Sequence, residues 1–143
     1  MVLLLDSNIF IETLLAQEHG GACRRLLDRV RDGEIKATVT DFHIDSVAIV
    51  IENYGKDWRE LNLFLSSLLR YKGLTIYPLD LASRIMATYL MRDHKLDLDD
   101  ALAAQALREL STDTIISYDS DFDRVQWIKR VTPEEAKGEK SGG

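Results

Sequence analysis

VLLLD at residues 2–6 and TIISYDSDFD at residues 114–123 decide how this chain is read. Each begins as a short apolar run and stops at an aspartate-bearing turn, the pattern of a buried strand bounded by turn residues. Asp6 closes the first; Asp119, Asp121 and Asp123 follow the second. In an open parallel sheet the carboxyl ends of the strands meet in one crevice, so acids distant in sequence are expected to converge there. A third cluster, Asp97, Asp99 and Asp100, opens a strongly helical stretch just before the second run. Gathered carboxylates repel one another unless a cation sits between them. The expected site is one for a divalent metal.

Working outward from these runs, strands and helices alternate. Cys23, Leu26, Leu27 and Val30 mark the inner stripe of a helix stopped by Gly33, and 36–40 reads as a second strand. Helical patterning covers 41–54. Asp57 with Glu60 forms a capping-box start for a helix whose stripe is Trp58, Leu61, Leu65, Leu68 and Leu69. A strand at 74–77 precedes a helix capped by Asp80 that carries Ala82, Ile85, Met86, Tyr89 and Leu90 at helical spacing. A helix over 98–110, a strand over 114–117 and an edge strand over 127–131 complete the pattern. Strands separated by helices imply parallel pairing, right-handed crossovers and helices on both faces. The fold expected is therefore α/β: one three-layer domain over 1–136 around a parallel sheet of four or five strands, with 137–143 (KGEKSGG) as a disordered tail.

Composition narrows the function classes. The 143 residues, 45% hydrophobic and 29% charged, suit one globular domain, and two prolines and eight glycines leave little room for linkers. Cys23 is the only cysteine, so an internal disulfide is impossible and a reducing, cytoplasmic setting is expected. The N-terminal apolar run is too short to span a membrane and lacks the basic flank of a signal peptide. A net charge of −6 argues against nucleic-acid binding unless bound metal neutralises several aspartates.

Structural roles compete for these acids. Asp6 suits a cap on a helix beginning near Ser7 or Asn8, Asp97 and Asp100 suit the first turn of theirs, and the SYDSDFD acids suit Asx turns. The co-occurrence of three acidic clusters at one expected rim favours metal. Mg²⁺ and Mn²⁺ prefer such oxygen ligands, whereas His19, His43 and His94 lack zinc-ligand spacing and a lone cysteine completes no thiolate set.

Three stretches, LLLDSNIFIE at 3–12, DLDDALAAQAL at 97–107 and IISYDSDFDRV at 115–125, make the chain resemble the PIN domain, the metal-dependent nuclease fold that includes VapC toxins. The resemblance runs from Val2 to about Val131. It implies that Asp6, Asp100 and Asp119 are the catalytic metal ligands, that Asp121 is a further acid beside the metal, and that Ser117 fills the hydroxyl position. The activity implied is hydrolysis of RNA phosphodiesters with Mg²⁺ or Mn²⁺, and the partners implied are an RNA substrate, a small antitoxin and a second copy of the chain. Asn8 and Ser117 read either as substrate contacts or as local cap and turn bonding. Arg24, Arg25, Arg29 and Arg31 crowd one helix, either to meet phosphates or as a solvated face.

The chain departs from the family pattern in TDFHIDSVAIV at 40–50, which sets Ser46 where a glutamate is usual, with Asp45 beside it. At about 100° per residue, Phe42, His43, Ser46, Val47, Val50 and Tyr54 share the side expected to face the sheet, while Asp45 and Glu52 face away. Ser46 should then point at the carboxylates, with His43 nearby as a hydrogen-bonded core residue. Membership of the site is left open for Ser46 and, in the third cluster, for Asp99. The missing glutamate keeps alive a non-catalytic alternative, a PIN-like RNA- or protein-binding module; an RNA-processing nuclease that is not a toxin is the other. LLLDSN also resembles the Asp-x-Asp opening of haloacid-dehalogenase-like phosphotransferases, but Asn8 stands at the second acid and no suitable lysine precedes the last acidic motif. Apolar residues in excess over 41–71, including Leu63 and Phe64, point to self-association.

Overall fold

A computed structural model describes residues 2–136; the expected tail at 137–143 lies outside them. Five strands, β1 (Leu3–Leu5), β2 (Ala37–Thr40), β3 (Leu74–Tyr77), β4 (Thr114–Ile116) and β5 (Lys129–Val131), form one sheet in the order β3-β2-β1-β4-β5. Every pairing is parallel. The chain walks outward from β1 to β3, then returns to lay β4 on the other side of β1. That reversal makes the β1–β4 junction the topological switch point, where the strand ends leave a crevice.

Side-chain alternation along strands divides the interior in two. Leu5 and Ile116 join one core with Ile9, Phe10, Leu26, Val30 and Val47, on the side covered by α1 (Ser7–Leu14), α2 (Gly20–Arg31), α3 (Asp41–Asn53) and α4 (Trp58–Ser67). Leu4 and Ile115 join the other with Leu90, Leu102, Leu107 and Phe122, beneath α5 (Leu81–His94) and α6 (Leu98–Glu109). The three layers follow from this pleat. Buried Ala101, Ala103, Ala104 and Ala106 let α6 pack closely with its neighbours, α5 foremost among them. Gly73 is required at the mouth of β3, since a Cβ there would lie 2.1 Å from the Ile35 carbonyl oxygen.

Two helices turn differently from the sequence expectation. On α4 and the short turn at Leu68–Arg70 that follows it, the residues that reach the core are Leu61, Phe64 and Leu68, while Trp58, Leu65 and Leu69 are exposed. On α5 the buried line is Ser83, Ala87 and Leu90, leaving Ile85, Met86 and Tyr89 exposed. On α5 the small side chains of Ser83 and Ala87 allow close approach and win the core, whereas on α4 it is the large Phe64 that fills it, edge-on to Phe10. Tyr54, expected on the inner side of α3, is likewise exposed; Ile44 and Ile51 are buried instead. Among the described residues no helix is long and apolar enough to cross a membrane.

Candidate metal centre

The rim is assembled from the ends of β1 and β4. The Asp6 backbone N–H donates to the Ile116 carbonyl (3.1 Å), continuing the strand pairing one step past β1. Asp6 is extended and caps α1: Oδ1 accepts from Ser7 N–H (2.8 Å) and Oδ2 accepts from the Ser117 hydroxyl (2.6 Å). Ser117, fully buried, is a hub. Its Oγ also accepts from the Asp119 N–H (2.9 Å) and from Asn8 Nδ2 (3.4 Å). One hydroxyl thus ties the opening motif to the last acidic turn.

Asp100 arrives from the first turn of α6, its N–H held by the Asp97 cap (2.9 Å). Asp6, Asp100 and Asp119 each offer a carboxylate oxygen, and these atoms lie within 4.8 Å of one another. Asp6 and Asp100 are only 4% exposed, and Oδ2 of Asp100 is buried without a hydrogen-bond partner. Burial pushes the Asp6 carboxyl up to about 6, against the lowering effect of the Ser117 hydrogen bond. Asp100 is driven up further, first by burial and then by its neighbour Asp119. An all-oxygen donor set, strained in its ionised form and containing an orphaned carboxylate oxygen, fits a hard divalent cation.

The remaining expected residues sort by environment. Asp121 stays outside that set: its N–H donates to Asp119 Oδ1 (2.9 Å) and its carboxylate pairs with Arg124 (3.1 Å). Asp123 pairs with Arg130, whose hydrogen bond holds its carboxyl below the usual range. On α3, Asp45 is exposed, whereas Ser46 Oγ lies 3.4 Å from Asp99 Oδ2 as its donor. His43, 1% exposed, contacts Asp99 through Nε2, 3.1 Å from both Oδ1 and the carbonyl oxygen. Burial alone would lower the His43 pKa, but hydrogen bonding and charge from Asp99 outweigh it and the net shift is upward. The His43–Asp99 contact and the part of Thr40, whose Oγ1 meets both the His43 N–H and Nδ1, were not foreseen. Their only trace in the sequence is the Thr-x-x-His cap spacing. On α2, Arg29 pairs with Glu34 and Arg31 with Asp28 and Asp32, leaving Arg24 and Arg25 as its exposed cations.

Known proteins share this arrangement of elements. The PIN domain family model matches residues 3–128. Among solved structures, VapC20 of Mycobacterium tuberculosis, a sarcin-ricin loop cleaving toxin, superposes with a TM-score of 0.70 at 10% identity, covering 85% of this chain and 92% of that one. VapBC2 from Rickettsia felis, bound to a DNA fragment from its promoter, gives 0.66 at 14% identity with 92% and 98% covered. A toxin-antitoxin complex from Klebsiella pneumoniae gives 0.63 at 19% identity with 92% and 97% covered. No curated protein matches in sequence at a significant level.

Proposed function

The chain belongs to the PIN domain family, and from that premise we propose that it is a divalent-metal-dependent endoribonuclease, the toxin of a VapBC-type toxin-antitoxin pair. The observation that carries the reading is the convergence of Asp6, Asp100 and Asp119, with an orphaned oxygen on Asp100. These three residues would hold Mg²⁺ or Mn²⁺. When bound, such an ion acidifies water and offsets charge that builds on a phosphate under attack. The Ser117 hydroxyl fixes Asp6 by donation and Asp119 by acceptance, so its part is to set the spacing of two ligands; its full burial argues against a direct grip on RNA. Asn8 braces Ser117 from α1. Asp121, tied to Arg124, is given no ligand role.

The partner proposed is a small antitoxin, because the neighbouring structures include toxin-antitoxin complexes. A groove of about 260 Å³ lined by Leu14, Ile51, Leu63 and Phe64 offers it apolar surface. The exposed apolar residues of α4 and α5 support a homodimer, which light scattering at micromolar concentration would read as two chains per particle; one chain would overturn it. Cys23, whose thiol burial pushes up to about 12, is compatible with a reducing cytoplasm.

The test is cleavage of RNA in Mn²⁺. Activity should vanish in EDTA and fall at least about a hundredfold in Asp6→Asn and Asp100→Asn; activity indifferent to all three would overturn the reading. Growth arrest on expression, relieved by a co-expressed neighbour gene, would mark a toxin, and cleavage without arrest a processing nuclease. Ser46 supports one rival, an RNA- or protein-binding module with a degenerate site, which RNA retention without cleavage would establish.

A further inference from the structure

α3 passes the carboxylate crevice without contributing an acid. Its residues facing that way are His43 and Ser46, and both make hydrogen bonds to the same side chain, Asp99 of α6. Asp99 is thus held from two sides. One oxygen of Asp99, one of Asp6 and a His43 ring nitrogen lie within 4.8 Å of one another.

The hydrogen bonds of the His43 ring decide what it does there. Thr40 Oγ1 accepts the His43 backbone N–H (3.0 Å) and sits against Nδ1. If the ring is neutral, the threonine hydroxyl gives its proton to Nδ1 and the ring proton resides on Nε2. If the ring is charged, both nitrogens carry protons. In either state Nε2–H donates to Asp99 Oδ1, and His43 has no lone pair directed at a cation. Its effect is to orient a carboxylate, as the hydrogen-bonded neighbours of metal ligands do.

We propose that Asp99 is a fourth carboxylate of the metal pocket, supplied from α6 and aimed by His43 and Ser46 into the place where α3 provides no acid. The inference rests on the metal-centre reading above. The second observation behind it is the orphaned, buried Oδ2 of Asp100, a member of the trio with Asp6 and Asp119; Asp6 is common to that trio and to the one formed with His43 and Asp99, so the two adjoin at one carboxylate. Asp99 differs from Asp121 in its partners, an imidazole and a hydroxyl of α3 against the permanently charged guanidinium of Arg124.

Mn²⁺ titration by calorimetry on the full chain tests it, with wild type, Asp100→Asn, Asp99→Asn, Ser46→Glu and the double variant Asp99→Asn/Ser46→Glu. Asp99→Asn should weaken Mn²⁺ about tenfold to a hundredfold. Its melting temperature in EDTA should not fall, because Asp99 is partly exposed and the substitution keeps its shape. Ser46→Glu should recover most of that affinity in the Asp99→Asn background and add much less to wild type, a non-additivity that a purely structural role for Asp99 does not produce. Wild-type affinity in Asp99→Asn, with binding lost in Asp100→Asn, would overturn the role of Asp99 and leave the metal centre standing. Loss that Ser46→Glu fails to recover would overturn the shared position. No binding by wild type would overturn the metal centre itself, and this inference with it.

Discussion

Asp6 and Asp100 on one side, Asp121 and Asp123 on the other, are four aspartates of one rim with opposite surroundings. The first two are buried, are not paired with an arginine or lysine and are pushed toward protonation. The second two lie in the turn after Asp119, each against an arginine, and Asp123 is shifted the other way. Sequence spacing treats them alike. Their neighbours do not: an arginine completes a carboxylate, whereas a buried carboxylate lacking one is left to a proton or a metal.

The largest effect that can break this comparison is on stability without metal. Asp6 is raised, so the folded chain holds its proton to about pH 6 where the unfolded chain releases it near 3.8. The stabilisation is therefore present at low pH and lost as pH climbs between those values. At about 1.4 kcal/mol per unit this amounts to about 3 kcal/mol for a fully buried group. Urea unfolding in EDTA should show Asp6→Asn gaining on wild type by about that amount between pH 4 and pH 7, and Mn²⁺ should erase the gain at pH 7. Asp123→Asn should gain nothing over the same range, since its carboxyl is shifted downward. Equal gains for both variants would mean that the two pairs of acids are not distinct.

Two alanine substitutions sharpen the picture at smaller scale. Ser117→Ala removes the hub and leaves the Asp119 N–H and Asp6 Oδ2 short of a partner, at a cost of about 1–3 kcal/mol. It should also weaken Mn²⁺ about tenfold, as loss of an outer hydrogen bond does. Asp45→Ala lies on the exposed side of α3 and should change stability by less than about 0.5 kcal/mol and leave Mn²⁺ affinity alone. Calorimetry reads both. A loss of metal binding in Asp45→Ala would mean that α3 presents the other face to the crevice.

Much of the fold was legible because its signals are local. Asp57, Asp80 and Asp97 each cap the helix whose start they were read to mark, and Gly33, at φ +85°, closes α2. Strand runs such as Leu3–Leu5 and Thr114–Ile116 do not alternate between apolar and charged positions because both sheet faces are covered. The phase of α3 around Ser46 and Asp45 was also within reach, since a 3.6-residue period separates adjacent positions by about 100°.

The chain alone therefore marked its elements and their parallel pairing, and set acidic clusters at strand ends and a helix start, because caps, periodicity and strand ends depend on near neighbours. The strand order and the meeting of Asp6, Asp100 and Asp119 within one pocket came from the closed sheet. Only tertiary packing decided which residues of α4 and α5 enter the core, Phe64 on one and Ala87 with Leu90 on the other, because that choice depends on the shape of the layer each helix packs against. Tertiary packing likewise gave Asp123 its arginine, whereas Asp121 meets Arg124 within its own turn. Arg130 reaches Asp123 from β5 and His43 reaches Asp99 from another helix, contacts between elements that come together only when the sheet closes.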